Sequence, residues 1–170
     1  MNPIDRARPD TDLVIHPPIL ESRSITWTTE SDCAAFAESL ARHDALFDAF
    51  ITLEGPLGAG KTTFARHLLR SLGATGRIKS PTYALLEPYD LPRLKASHFD
   101  FYRFNDPREW IDAGLRDVFA QPGLKLAEWP DKAGALLPAP DLCMHIAPQD
   151  DGRREVAVHA NTPRGVELLA

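Results

Sequence analysis

Residues 55–62 run Gly-Pro-Leu-Gly-Ala-Gly-Lys-Thr, which matches Gly-x-x-x-x-Gly-Lys-Thr, the pattern of a phosphate-binding loop. Glycine lets a backbone curl closely round an anion, because no side chain stands in the way and positive φ carries little penalty. The pattern implies a cradle of backbone amides and a helix N-terminus formed by Gly55, Leu57, Gly58, Ala59, Gly60, Lys61, Thr62 and Thr63, facing the phosphates of a nucleotide such as ATP. Lys61 would reach the β- and γ-phosphates, and the Thr62 hydroxyl would be a ligand of Mg²⁺. The bland alternative is a glycine turn that fits by accident.

A phosphate loop by itself hydrolyses little, because the developing charge needs a metal ion and a positioned water. Asp100 follows the strand-like run Ala-Ser-His-Phe, and an acid at a strand end suits a hard ion that prefers oxygen. It also reads as a plain strand-end turn residue. Glu128 sits just past the apolar run 124–127, where it would either orient the attacking water or cap a loop. Its neighbour Trp129 either stacks near the nucleotide base or fills the core. Thr82 falls in a loop downstream of the helix that follows the phosphate loop, as a switch hydroxyl over the γ-phosphate or as an ordinary turn residue. His98 shares a strand face with Asp100, and packing is the commoner fate of such a histidine.

These groups need a scaffold, and the flanking pattern supplies one. Phe50-Ile51-Thr52-Leu53 reads as a buried strand, and residues 63–72 as a helix with Phe64, Ala65, Leu68, Leu69 and Leu72 on its core face, stopped at Gly73. A short strand over 24–28 precedes a helix whose entry carries Thr29 and Asp32 at capping spacing, with Cys33, Phe36, Ala37 and Leu40 facing inward. Strands are expected over 84–88 and 96–101, joined by a turn around Asp90-Leu91-Pro92. Asp106-Pro107-Arg108-Glu109 opens a helix expected to end near Gly114. Runs over 141–146 and 155–159 alternate in the strand manner around the turn residues Asp150-Asp151-Gly152. The pattern predicts an α/β fold, a three-layer P-loop NTPase-like sheet with flanking helices and a C-terminal β-hairpin.

The chain of 170 residues, 44% apolar and 25% charged, suits one soluble domain, expected over 23–170 behind a mobile, proline-bearing tail over 1–22. A net charge of −5 offers no general attraction for DNA, RNA or an anionic membrane. No apolar run approaches a spanning helix and no secretory core is evident, so a cytoplasmic location is expected. Cys33 and Cys143 lack Cys-x-x-Cys spacing, which disfavours a disulfide framework or a zinc site and suggests ordinary buried thiols.

Four stretches occur in a telling order: Gly-Pro-Leu-Gly-Ala-Gly-Lys-Thr-Thr at 55–63, Ser-Pro-Thr-Tyr at 80–83, His-Phe-Asp-Phe-Tyr-Arg at 98–103 and Glu-Trp-Pro at 128–130. Together they resemble the TsaE family, formerly YjeE, small bacterial ATPases of tRNA threonylcarbamoyladenosine synthesis. The resemblance covers about residues 24 to 160. It implies that Lys61 and Thr62 hold phosphate and Mg²⁺, with Thr82 in a switch-like loop. It also implies Asp100 as the metal-side acid, Glu128 as a residue needed for hydrolysis and on the metal side, and Trp129 close to the nucleotide. The implied partners are the TsaD and TsaB proteins, with tRNA reached through that complex. Pro56 departs from the family's usual acidic residue after the first glycine.

Rival readings remain on the residues alone. A small-molecule kinase would need an acceptor pocket and an arginine-bearing lid, for which no insertion is long enough. A GTP switch would need an Asn-Lys-x-Asp guanine reader, which does not occur in the sequence. A module that binds nucleotide without hydrolysing it would look similar.

Overall fold

A computed structural model of the chain describes residues 16–106 and 108–170. Most of the expected 1–22 tail therefore lies outside the described residues, and so does Pro107. The strand over Phe50–Glu54, β2, is the centre of the molecule, because its apolar residues are buried on both faces. Such a run suits a parallel strand covered on both sides. In chain order the sheet is built from β1 (Glu21–Trp27), β2, β3 (Leu86–Asp90), β4 (Lys95–Asp100), β5 (Leu124–Glu128), β6 (Leu142–Pro148) and β7 (Arg154–Ala160).

The seven strands lie in the order β1-β7-β6-β2-β5-β4-β3. β2 runs parallel to both β5 and β6, and β4 runs parallel to β5. β1 with β7, β6 with β7, and β3 with β4 are antiparallel. The fold is thus α/β, a mixed sheet flanked by helices.

One face is covered by α1 (Glu30–Ala41) and α2 (Lys61–Ser71). Cys33, Ala37 and Leu40 of α1 and Phe64, Ala65, Leu68 and Leu69 of α2 join Ile51, Leu53, Met144 and Val158 in one buried cluster. Burying Phe64 or Leu68 in this way contributes roughly 1.5–3 kcal/mol each. Burial pushes the Cys33 thiol up to about 12, so it stays protonated. At the entry to α1 the Asp32 carboxylate accepts the amides of Thr28 and Thr29, both at 2.8 Å. The second cluster, on the opposite face, gathers Phe50, Phe99, Phe101, Phe104, Trp110 and Leu115.

Several boundaries differ from the sequence reading. β1 is longer at its start because Glu21↔Ala160 and Ser22↔His159 already pair with β7. β3 starts at Leu86 rather than residue 84, since Leu85 adopts φ 64 and its amide turns back to Pro81 O at 2.7 Å. The β3–β4 turn is closed by Leu91 N donating to Leu94 O, later than expected. The helix expected over 106–114 is a single turn, α3 (Glu109–Asp112), and left-handed Gly114 then redirects the chain into α4 (Leu115–Ala120). The hairpin turn falls where it was expected, with Gln149 N on Arg153 O at 2.8 Å. It does not end the fold, because α5 (Pro163–Leu168) follows and its Leu168 enters the first cluster. Among the described residues no helix is long and apolar enough to cross a membrane.

Candidate nucleotide site

β2, β5 and β4 are parallel neighbours, so their C-terminal ends open at one edge of the sheet. The chain leaves β2 at Glu54, wraps through residues 55–60 and enters α2 at Lys61. Gly55 has φ 145, and a Cβ there would stand 2.4 Å from Ile146 O, so only glycine fits so close to β6. Gly60, at φ 111, turns the loop into the helix. Arg154, at the start of β7, donates through Nε to Ala59 O at 2.7 Å and braces the loop from the other side.

Lys61 is folded onto its own loop, its Nζ donating to Gly55 O at 2.6 Å and Pro56 O at 2.9 Å. The ammonium also lies 4.1 Å from the centre of the Trp129 ring, a cation–π contact. Burial lowers the Lys61 pKa below the ordinary lysine value, against the opposing pull of Glu128, Asp100 and Asp131. Trp129 is held over the loop by a left-handed backbone, φ 56 and ψ 51, immediately after β5. Such a conformation is strained for a bulky residue and clusters at functional positions.

The two acids occupy paired positions, Asp100↔Glu128, at the ends of β4 and β5. Both are nearly fully buried, 3% and 2% exposed. Thr62 Oγ1 donates to Glu128 Oε1 at 2.9 Å. Ser80 Oγ donates to Asp100 Oδ2 and lies 3.3 Å from Glu128 Oε2, bridging the two acids. Thr82 Oγ1 donates to the same Asp100 oxygen at 3.1 Å, and the Tyr102 amide donates to the other at 2.9 Å. A continuous polar chain therefore runs Thr62, Glu128, Ser80, Asp100, Thr82.

His98, completely buried, donates through Nε2 to Glu128 Oε1 at 3.0 Å, while its Nδ1 has no hydrogen-bond partner among the described residues. The ring fixes one carboxylate oxygen and leaves the other free to face Ser80.

The structure thus brings Gly55, Gly60, Lys61, Thr62, Thr82, Asp100, Glu128 and Trp129 to one place. Leu57, 74% exposed, lies on the outside of the loop. Thr63 lines a hollow with the loop residue Gly60 and with Trp27, Cys33 and Arg154. Ser80 and Arg154 escaped the sequence reading. Ser80 had a signal in its Ser-Pro-Thr context, but Arg154 stands 95 positions from its partner and carries none.

The glycine-lined cradle and its amides suit a polyphosphate. The donors near its end, a threonine hydroxyl and two carboxylates, are all oxygen, which suits Mg²⁺.

The family model described as "Threonylcarbamoyl adenosine biosynthesis protein TsaE" matches residues 27–156. The "tRNA threonylcarbamoyladenosine biosynthesis protein TsaE" of Haemophilus influenzae is 38% identical over 135 residues, covering 79% of this chain and 85% of that one. The Bacillus subtilis protein of the same description is 38% identical over 110 residues, covering 65% and 68%. Among solved structures, "Crystal structure of Bacillus subtilus YdiB" superposes with a TM-score of 0.73 at 28% identity, covering 88% of this chain and 92% of that one.

Proposed function

Since the chain belongs to the TsaE family, we propose that it is a Mg²⁺-dependent ATPase that supports TsaB and TsaD in forming threonylcarbamoyladenosine at position 37 of tRNAs reading codons that begin with A. The observation that carries this reading is the 2.9 Å contact from the loop hydroxyl of Thr62 to buried Glu128. It joins a phosphate cradle to the carboxylate pair that hydrolysis requires. The sheet is read as the three-layer P-loop NTPase type, with the nucleotide at the C-terminal edge of its parallel strands.

In this reading the loop amides and Lys61 neutralise charge on the γ-phosphate during in-line attack by water. Lys61 must first release the carbonyls of Gly55 and Pro56, which it now caps. Thr62, Asp100 and Glu128 are the residues that would hold Mg²⁺, directly or through water. The ion would offset negative charge on the phosphate oxygens. Glu128, anchored by His98, orients the attacking water. Thr82, in the loop over Asp100, reports the state of that end of the site as a switch hydroxyl.

Arg103 lies over the Tyr83 ring and Arg154 is tied to Ala59 O, so neither neutralises the reacting phosphate as placed. Slow hydrolysis is expected from the protein alone, and faster hydrolysis with TsaB and TsaD. The cytoplasm is the compartment this role requires.

The test is tRNA modification by purified TsaB and TsaD supplied with threonylcarbamoyl adenylate, with and without this protein and Mg·ATP. Product should stop near one equivalent per complex without the chain and continue over many turnovers with it. No difference, with ATP hydrolysis intact, would remove the pathway and leave the ATPase. A phosphorylated small-molecule acceptor would replace both with a kinase.

A further inference from the structure

A second cluster of metal-ligating side chains lies on the same sheet, outside the polar chain at the nucleotide site. Along β6, Leu142, Met144 and Ile146 enter the cluster under α1 and α2, so Cys143 and His145 emerge together on the opposite face. Glu54, the last residue of β2, pairs in register with His145. Its Oε1 is 3.1 Å from Cys143 Sγ, and its Oε2 is 3.1 Å from His145 Nδ1. His145 Nε2 lies 3.3 Å from the same sulfur. One ligand atom from each of the three residues falls within 4.8 Å of the others.

We propose that Glu54, Cys143 and His145 form a binding site for one divalent transition-metal ion of the zinc class, next to the phosphate loop and separate from the Mg²⁺ ligands. A sulfur, an imidazole nitrogen and a carboxylate oxygen are ligands that zinc accepts, and the thiolate with the imidazole discriminates against Mg²⁺. Zinc bonds of about 2.3 Å to sulfur and about 2.1 Å to nitrogen or oxygen place tetrahedral ligand atoms roughly 3.3–3.6 Å apart. The two contacts of Cys143 Sγ, with Glu54 Oε1 and His145 Nε2, need to open by only a few tenths of an ångström, and the imidazole gives up its Nδ1 contact with Glu54 to ligate through Nε2. Cys143 and Glu54 are half-buried and His145 is exposed, so an ion can enter and keep an open coordination position.

Cys143 is half-buried, so the expectation of two buried thiols holds only for Cys33. Cys-x-x-Cys is not the only spacing that presents ligands together. A strand puts residues two apart on one face, so Cys143-Met144-His145 presents two ligands without that motif, and a neighbouring strand brings the third. The position also matters: Glu54 precedes Gly55 directly, and Ile146 after His145 packs against that glycine. An ion would tie β2 to β6 where β2 becomes the loop. This inference does not depend on the proposed ATPase role.

The experiment titrates Co²⁺ into the untagged, reduced full-length protein and follows near-ultraviolet thiolate-to-cobalt charge transfer. One equivalent should saturate the band, Zn²⁺ should displace it, and a large excess of Mg²⁺ should not. Cys143→Ala should abolish the band, and H145A, at an exposed position, should weaken Co²⁺ binding at least tenfold with the circular dichroism spectrum unchanged. Cobalt at the oxygen ligands near Thr62 gives no thiolate band, so the two sites are distinguished. Absence of the band, its persistence in Cys143→Ala, displacement by Mg²⁺, or unchanged affinity in H145A would overturn the proposal.

Discussion

The two sides of the sheet spend their polar residues differently. Where β2, β5 and β4 run parallel, their ends bury Asp100, Glu128 and His98 in one connected set of hydrogen bonds. Where β1 and β7 run antiparallel, polar residues also pair, Thr26 with Glu155 at 3.0 Å and Ser22 with His159 at 2.8 Å, but they do so in the open. Water competes for each exposed pair, so such a pair contributes only about 0.2–1 kcal/mol. A buried acid has no such alternative and depends on its neighbours. The polar groups at the parallel edge are thus buried and bonded to one another, and they are the groups on which the proposed site rests.

The contrast is broken most severely at Lys61. Lys61→Ala should lower ATP turnover by about 10³-fold or more, through loss of charge on the γ-phosphate, and an unchanged rate would refute the site. Next in size is Glu128→Ala, expected to lose about 10²-fold or more in hydrolysis while fluorescent-nucleotide binding persists. Loss of binding and turnover together would instead make Glu128 a structural group.

His98→Ala should cost about 1–3 kcal/mol in denaturant unfolding, because a buried carboxylate loses its donor, and should slow turnover about tenfold through a misplaced Glu128. His98→Gln retains a donor and should recover part of the rate. Recovery of stability without rate would deny His98 a positioning role. On the antiparallel side Thr26→Val should change stability by no more than about 1 kcal/mol and leave turnover as it was. A large effect there would erase the distinction between the two regions.

The smallest effect concerns acid. The amides of Thr29 and Thr28 hold the Asp32 carboxyl below its ordinary value. Its contribution to stability is present above the unfolded-state pKa of about 3.9 and is lost as pH falls through the lower folded value. Asp32→Asn should therefore lower the melting temperature near neutrality and flatten the acid limb of the profile, so that the two proteins converge at low pH.

The elements that could be read from residues alone were those with strong local grammar. The loop, the core stripes of α1 and α2, and the turn at residues 149–153 have periodicity or turn chemistry that acts within a few residues. β3 and α3 were misplaced because Leu85 and Gly114 bend the chain with left-handed conformations that nearby composition does not announce.

Sequence determined the glycine-rich loop of residues 55–62, the position of acids at two strand ends and the α/β class, since each rests on residue type and spacing along the chain. Only the tertiary structure decided that Ser80 bridges those acids, that His98 anchors Glu128, that Arg154 braces Ala59, and that Glu54 meets Cys143 and His145. Each of these contacts joins segments 20 or more positions apart, or depends on which strands become neighbours. Strand order is a global choice made by burial of both sheet faces, and no local pattern encodes it.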